Sequence, residues 1–128
     1  MKGRHLDGKG KGEYSYDYKN DIMIFRIRNR DYLKSIDFDN FIADVDKEGF
    51  ITGMRIFDAS QIFKLRKLVL KNVRYFEFNS KVEENVVTLQ MRFQSFLRNK
   101  PVINQGHDFV REAVDSKLEN KEAVATIG

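Results

Sequence analysis

Apolar and polar residues alternate with a period of two along most of the chain, as they do in strands that bury one face. In the first half the alternation is broken by short turn sequences such as Lys19-Asn20-Asp21 and Asp39-Asn40. The pattern predicts five strands, at residues 14–18, 22–27, 32–38, 41–45 and 50–56. Strands joined by such turns pair with their neighbours in antiparallel order, so we expect a meander.

The second half contains segments with the spacing of a helix and segments with the alternation of a strand. Apolar residues at helical spacing predict a short helix at residues 60–67, with Asp58 or Ser60 as its cap. Alternation then returns and predicts two longer strands, at residues 73–79 and 86–97, on either side of a charged loop.

The last part of the chain predicts a second helix. Behind a candidate cap at Asp108, apolar residues recur at spacings of three and four, namely Val110, Ala113, Val114 and Leu118. We therefore assign the chain to the α+β class, as a mainly antiparallel sheet with a short helix after the fifth strand and a C-terminal helix. Residues 1–12 are expected to be a flexible basic N-terminus. Residues 13–128 are expected to form a single β-rich domain, whose part after residue 60 contains the helices and a long β-hairpin.

Composition excludes some function classes. The 128 residues contain no cysteine, which removes disulfides, thiolate metal sites and thiol nucleophiles, and suits a reducing cytoplasm. The formal net charge of +4 is smaller than the excess of a dedicated nucleic-acid binder. The basic, glycine-rich start has no apolar core, and no apolar run is long enough to cross a bilayer. We therefore expect a cytoplasmic protein without membrane contact.

The segment from residue 14 to residue 60 carries motifs typical of one family. Tyr16-Asp17-Tyr18 is followed by Asp21 and an apolar strand, and the segment closes on Asp44-Val45-Asp46-Lys47-Glu48-Gly49-Phe50-Ile51-Thr52-Gly53-Met54-Arg55-Ile56-Phe57-Asp58-Ala59-Ser60. It resembles a family of small bacterial and archaeal domains of unknown function, family 2283, which usually have glutamate in place of Arg55. The resemblance implies a small antiparallel sheet followed by a helix, no established activity, and antitoxin-like or other partner-binding roles.

The motif at residues 44–49 is the most suggestive of chemistry. Asp44, Asp46 and Gly49 match the opening of an EF-hand calcium loop. The twelfth position of such a loop requires a bidentate glutamate, and Arg55 stands there. Because the flanking segments alternate as strands do, we interpret the motif as a hairpin turn and predict neither a metal nor a cofactor.

An acidic cluster in the same region leaves a second interpretation open. The carboxylates of Asp37, Asp39, Asp44 and Asp46 could serve a small hydrolase if they converged in a cleft. The alternative is that they lie on solvated strand edges and turns, where charge discourages pairing between sheets.

A basic stretch follows the first predicted helix. Its candidate nucleic-acid-binding residues are Lys64, Arg66, Lys67, Lys71, Arg74 and Tyr75. Cations hold phosphates and aromatic rings stack on bases, so the stretch is a candidate surface for single-stranded nucleic acid. The competing interpretation is a helix–strand junction whose outward face is basic.

No catalytic residue is predicted. His107 precedes Asp108, which in principle orients an imidazole base, but no serine or threonine stands at a recognisable spacing as a nucleophile. We therefore interpret His107 as a turn residue. No glycine-rich phosphate loop follows a predicted strand, which argues against the common nucleotide enzymes.

The function class that we favour is a non-enzymatic binding module that engages a protein partner or itself. The long amphipathic strand at residues 86–97 either covers a sheet edge within the chain or pairs across a two-fold axis. With 11 Phe and 5 Tyr in a small domain, we predict a homodimer. Nucleic-acid binding is the second hypothesis and an acidic hydrolase the third.

Overall fold

The fold consists almost entirely of β-strands. The computed structural model describes residues 4–114 and 116–127, apart from the side chain of Asn104. Those residues form nine strands and two helices of five residues each. The strands are β1 (Arg4–Asp17), β2 (Ile22–Ile27), β3 (Tyr32–Asp37), β4 (Phe41–Asp46), β5 (Ile51–Phe57), β6 (Val73–Glu83), β7 (Val86–Leu97), β8 (Lys100–Glu112) and β9 (Lys121–Ile127); the helices are α1 (Ala59–Phe63) and α2 (Lys67–Lys71).

The strands belong to one mixed sheet, in the order β3-β4-β5-β2-β1-β9-β6-β7-β8. Neighbouring strands are antiparallel except β1 and β9, which are parallel. The predicted meander is wrong in one respect, because β2 pairs with β1 and β5 and not with β3. Residues 28–31 carry the chain past the β4–β5 turn to the far edge of the sheet, which gives the first half a Greek-key arrangement.

The predicted C-terminal helix, and with it the α+β class, is wrong. Residues 100–112 form β8 along the length of β7, and residues 121–127 form β9 between β1 and β6. The helical spacing of Val110, Ala113 and Val114 does not decide the local structure. A long neighbouring strand offers a backbone ladder that overrides a weak local preference for helix.

The N-terminal residues expected to be flexible lie in the sheet. Residues 4–12 form the first part of β1 and pair with β9, from Arg4 opposite Lys121 to Gly12 opposite Ile127. Residues 1–3 lie outside the described residues. Only glycine fits at position 12, because a Cβ there would lie 2.6 Å from the ring of Phe25.

The single helix predicted at residues 60–67 is divided in two. Lys64 ends α1 in the left-handed conformation, with φ 56°, and α2 begins after Arg66. Asp58 is the N-cap residue of α1, but its side chain makes no capping hydrogen bond. No helix in the described part of the chain has the length and apolar character needed to cross a membrane.

The two halves of the sheet pack against each other around one aromatic core. Phe25 of β2 stacks on Phe76 of β6 with ring centroids 4.7 Å apart, and Phe41 of β4 meets Phe109 of β8 at 4.4 Å. Two strands of the first half thus face two strands of the second half. Each buried phenylalanine contributes about 2 kcal/mol to this packing. In the sheet that the described residues form, β3 and β8 are the edge strands.

Candidate functional site

The acidic motif at residues 44–49 forms the turn between β4 and β5. Oδ1 of Asp46 accepts hydrogen bonds from the backbone N–H groups of Glu48 at 3.0 Å and Phe50 at 2.9 Å. Its Oδ2 accepts one from Nε of Arg30 at 2.8 Å, and Gly49 takes a positive φ of 87°. The turn interpretation is confirmed, since the chain's own donors engage both carboxylate oxygens of Asp46.

Arg30 holds the β2–β3 connection against this turn. Its guanidinium pairs with Asp46 and also with Glu48. Asp46 is only 1% exposed, so its carboxylate would be strongly unfavourable without this partner. Arg30 also lies over the ring of Phe50, 5.7 Å from its centroid. The acidic motif therefore has a structural role. It holds in place the connection that leads from β2 to β3.

The four carboxylates considered for a hydrolase do not converge. Asp37 ends β3 and Asp39 lies in the β3–β4 turn, whereas Asp46 is at the other end of β4. A strand of six residues spans about 20 Å. Asp44, between them, accepts a hydrogen bond from Arg55 at 2.9 Å. Over the described ranges, no group of three or more potential metal ligands is present.

Asp21 forms a buried cluster that the sequence analysis did not single out. It is 6% exposed and accepts hydrogen bonds from the Tyr16 hydroxyl at 2.6 Å, the Ser60 backbone N–H at 2.9 Å and the Ser60 hydroxyl at 2.6 Å. Burial acts to raise the pKa of Asp21, but the hydrogen bonds from Ser60 and Tyr16 outweigh it and hold the pKa below the ordinary 3.8. Asp21 thus accepts a hydrogen bond from a backbone amide at the start of α1. The side chain of Asp58, the N-cap residue, makes no such hydrogen bond.

His107 lies within β8, so its assignment to a turn is wrong. Its ring packs edge-on against Phe63 and Phe109, with centroids 5.2 Å and 4.6 Å away, and burial lowers its pKa. Adjacent residues of a strand point to opposite faces. Asp108 therefore lines the outer face and does not orient the imidazole, so the two residues do not form a catalytic pair.

The candidate nucleic-acid-binding residues lie around the break between the helices, in α2 and in β6. Lys64 and Arg66 are exposed around the break between the helices. In α2, the ammonium groups of Lys67 and Lys71 each lie 5.6 Å from the ring centroid of Tyr18, a side chain that is 49% exposed. We call Lys67, Lys71 and Tyr18 the α2 patch.

Arg74 and Tyr75 belong to β6 and have other partners. Arg74 donates to Oδ1 of Asn99 at 3.2 Å and lies over the ring of Phe96. The Tyr75 hydroxyl donates to the carboxylate of Glu77, which raises the pKa of Tyr75. Arg74 and Tyr75 therefore make contacts different from those of the α2 patch.

An open groove of about 890 Å³ crosses the outer face of β1, β9, β6, β7 and β8. Polar and charged side chains dominate its lining, including Asp7, Lys9, Glu77, Gln90, Arg92 and Asp108. Gly106 lines the groove on β8, where an added Cβ would meet only the backbone oxygen of Met91, at 3.8 Å. Charges of both signs line the groove, so it does not select one class of ligand.

The sheet ends on this side at β8. The strand is 13 residues long and, among the strands that the structure describes, pairs with β7 alone. Val102 and Val110 are 48% and 54% exposed, and Val102 is the extra residue of a bulge in β8 opposite Ser95 and Phe96 of β7. The opposite edge strand, β3, has six residues and a bulge between Tyr32 and Lys34. β7, which we expected to cover an edge or lie on a two-fold axis, has β6 and β8 on its two sides.

A family model described as "Protein of unknown function (DUF2283)" matches residues 13–60. The matched segment runs from within β1 to the start of α1 and contains Asp21, Asp46 and Ser60. The resemblance to family 2283 is therefore confirmed over residues 13–60.

Two curated relatives, both from archaea, extend the similarity. A protein of Methanosarcina mazei with the printed name "Putative hypoxanthine phosphoribosyltransferase" is 38% identical over 96 residues, which cover 75% of this chain and 77% of the relative. An uncharacterised protein of Methanocaldococcus jannaschii is 30% identical over 96 residues, which cover 74% of this chain and 83% of the relative. No solved structure matches the chain significantly.

Proposed function

This chain belongs to the family of proteins of unknown function (DUF2283), and on that premise we propose that it is a non-enzymatic binding module that engages a protein partner, or itself, through the open edge of β8. The observation that carries the proposal is the length of that edge. Alternate residues along these 13 direct their backbone N–H and C=O groups away from β7, to a side where no other strand of the described sheet pairs with them.

The residues of β8 suit pairing along its centre. Proteins commonly block free edges with charges, proline or short strands. In β8 such residues are confined to the ends, at 100–101 and 111–112, apart from the acidic Asp108, and a bulge at residues 101–103 lies at the same end as the proline. Val102 and Val110 lie between them and are about half exposed. A partner strand would therefore gain backbone hydrogen bonds and apolar contacts together, as in recognition by strand addition.

A matched pair of edge variants tests this proposal. Val110→Lys adds a charge to the β8 edge at a side chain that is 54% exposed, and Leu33→Lys does the same on β3, also at 54%. We expect Val110→Lys to dissociate the self-associated protein, or its complex with a purified partner, as measured by light scattering. Leu33→Lys is expected to leave the association intact. The proposal fails if association is unaffected by Val110→Lys.

The α2 patch favours a second candidate function, binding of single-stranded nucleic acid. Lys67 and Lys71 both lie close to a half-exposed aromatic ring, so cations for phosphate contacts and a ring for base stacking are present at one place. In this candidate Tyr18 takes the stacking role that the sequence assigned to Tyr75, and Lys64 and Arg66 extend the basic surface.

Titration of labelled single-stranded RNA and DNA across a salt series tests the second candidate. We expect the affinity to fall steeply with salt, and Lys67→Gln to reduce the slope of log K against log salt by about one. Lys9→Gln, which removes a lysine of the outer groove, is the control. Absence of binding at about 50 mM salt would exclude this function.

The activity in the name of the Methanosarcina relative is not part of this proposal. Proteins often hold phosphate groups on the free amides at a helix N-terminus. Both described helices have only five residues, and the Ser60 amide at the start of α1 already donates to Asp21.

A further inference from the structure

We propose that the outer face of the first half of the sheet packs against the same face of a second copy of this chain, about a two-fold axis that runs along β5. This surface is separate from the β8 edge, so the inference goes beyond the proposed function. Two features support it: an apolar patch on the outer face, and an arrangement of side chains that is complementary to itself.

The apolar patch lies on β2, β4 and β5. Adjacent residues of a strand point to opposite faces. The core-facing residues of these strands are buried, and between them stand four partly exposed apolar side chains that lie outside the core, Ile22, Ile24, Ile42 and Phe57. We call these four the outer apolar face. Neither described helix covers them, since α1 packs into the core through Phe63 and α2 lies against β7 and β1.

The outer residues of the second half are different. β2 begins with the unbroken apolar run Ile-Met-Ile-Phe, which is typical of a strand with both faces buried. On β6 and β7 the outer residues are mainly polar, for example Glu77, Gln90 and Arg92, as in a sheet with one face in water. A contiguous apolar patch on a sheet face is typical of an interaction surface. The outer apolar face therefore indicates a partner that covers it.

The side chains on the two sides of β5 match each other across that strand. Ile24 of β2 and Ile42 of β4 both lie opposite Arg55, and two residues further along, Arg26 and Asp44 form a second matching row. Both rows belong to the regular part of these ladders. A two-fold axis parallel to β5 places β2 of one copy over β4 of the other. Ile24 then meets Ile42 of the second copy, Arg26 meets Asp44, and symmetry repeats each pair.

Arg55 is compatible with a place on the axis. Its guanidinium donates to Asp44 at 2.9 Å and to the Ser35 hydroxyl at 3.2 Å, so it leans toward β4 and β3. The guanidinium groups of the two copies therefore lean to opposite sides of the axis, each beside a carboxylate of its own chain. Arg26 also donates to Glu13 of β1 at 3.2 Å, so charges of opposite sign alternate along this row.

Other axes lose this complementarity. An axis along β2 would place β5 over β1, and Phe57 would then face the carboxylate of Asp17. An axis along β4 would leave the isoleucines of β2 beyond the edge strand β3. An axis across the strands at Ile24 would place Ile22 against Arg26. The apolar and charged rows are both matched by the axis along β5.

The size of the face predicts a weak dimer. Aligned sheets pack about 10 Å apart, a distance that the side chains of Arg26 and Asp44 together span. Five strands of about six residues measure roughly 24 Å by 20 Å, or about 480 Å² per copy. The two copies together bury about 1,000 Å², near the lower limit of specific interfaces. We therefore expect dissociation in the micromolar range.

Sedimentation over a range of concentrations tests the dimer. Ile24→Lys places a charge within the outer apolar face, and we expect it to raise the Kd about a hundredfold, because each dimer loses two buried isoleucines. Ile24→Thr keeps a β-branched side chain and serves in its place if the lysine variant does not fold. Thr88→Lys is the matched control, since Thr88 is also partly exposed on the outer side of an inner strand, β7. It should leave the Kd unchanged.

Two charge reversals test the axis. Arg26→Glu sets a carboxylate against Asp44 twice in each dimer, and Asp44→Arg sets a guanidinium against Arg26 twice. We expect either variant alone to associate about tenfold more weakly. An equimolar mixture should recover the original affinity as a heterodimer, because every carboxylate in it faces a guanidinium. Asp44→Arg also loses the contact with Arg55, and a second chain cannot repair that loss, so recovery reports the pairing between copies.

The outcomes separate this inference from the proposed function. A monomer of 15.1 kDa at high micromolar concentration would overturn the inference and leave the β8 edge to be tested with other proteins. A dimer that Val110→Lys dissociates and Ile24→Lys does not would also overturn it, in favour of the β8 edge. The reverse result would support it and contradict self-association through β8. An assembly that Val110→Lys reduces to a dimer would support both. A mixture of the two charge variants that forms no heterodimer would overturn the axis along β5.

Discussion

Replacing Asp21 with asparagine should weaken the attachment of α1 to the sheet and change how stability depends on pH. Asparagine keeps the shape of the side chain and tolerates the left-handed backbone of this residue, with φ 57°. It loses the negative charge that receives three hydrogen bonds from Tyr16 and Ser60. The change therefore tests the charge of the carboxylate, while the volume of the side chain and the conformation of the backbone stay the same.

The magnitude follows from those contacts. A hydrogen bond to a charged group contributes about 1.5–3 kcal/mol, and one between neutral groups about 1 kcal/mol. An amide oxygen can still accept from one or two of the three donors. We therefore expect Asp21→Asn to lower the free energy of unfolding by about 2 kcal/mol at neutral pH. Asp21→Ala should cost about 4 kcal/mol, because it leaves the donors without an acceptor and adds left-handed strain.

The pH dependence has a definite sign. The pKa of Asp21 is lower in the folded protein than the 3.8 expected of an unfolded chain. Its contribution is therefore complete above about pH 4 and is lost as the pH falls through the folded pKa. Asp21→Asn should remove this part of the acid sensitivity, so the stabilities of the two proteins should converge at low pH.

Urea unfolding at about pH 6 and about pH 3 measures both effects. Asp31→Asn, at an exposed carboxylate in the β2–β3 connection, is the matched control and should leave the stability near that of the original protein. Ser60→Ala completes a double-mutant cycle with Asp21→Asn, and the two losses should be less than additive. A loss of stability that is the same at both pH values would refute the role assigned to the charge.

Three further expectations follow from other contacts. Arg30→Ala should lower the free energy of unfolding in urea by about 3 kcal/mol, because it leaves the carboxylate of Asp46 buried without its partner. Gly12→Ala should lower it by about 1–3 kcal/mol and reduce the melting temperature, since the new Cβ would overlap the ring of Phe25. Burial raises the pKa of Tyr14 above its ordinary 10.0, so stability should fall as the pH rises above about 10, and Tyr14→Phe should reduce that fall in alkaline unfolding.

The strands of the first half could be predicted because each buries one face and ends at a strong turn signal. The hairpin of β1 and β2 and the hairpin of β6 and β7 depend on such local patterns. The position of β9 could not be predicted in this way. Its buried residues Ala123 and Ala125 are small and weakly apolar, and its two neighbours are β1 and β6, far away in the sequence. A short alternation of alanines does not distinguish a central strand from an exposed tail.

The candidate sites also include one that could be predicted from the sequence and one that could not. The turn at Asp46 was predictable because aspartate and glycine at these positions have a local geometric role. The cluster around Asp21 was not, because a carboxylate that satisfies the start of a helix is usually its own N-cap residue. Both Asp21 and Ser60 lie within the family segment, and that shared membership was the only signal in the sequence that they act together.

The place of β7 shows why a binding edge is harder to predict than a strand. Its alternation resembles that of a strand at an interface, and we expected it to lie at an edge or on a two-fold axis. In the structure its inner residues face the core and its outer residue Arg92 lines the groove, with strands paired on both sides. The alternation of apolar and polar residues therefore indicates that the two faces of β7 have different surroundings. It does not indicate whether β7 is an edge strand. Which strand is last depends on the whole strand order, and that order depends on the parallel pairing of β1 with β9. The hypothesis of self-association survives as a proposal, but it moves one strand outward, to the edge of β8.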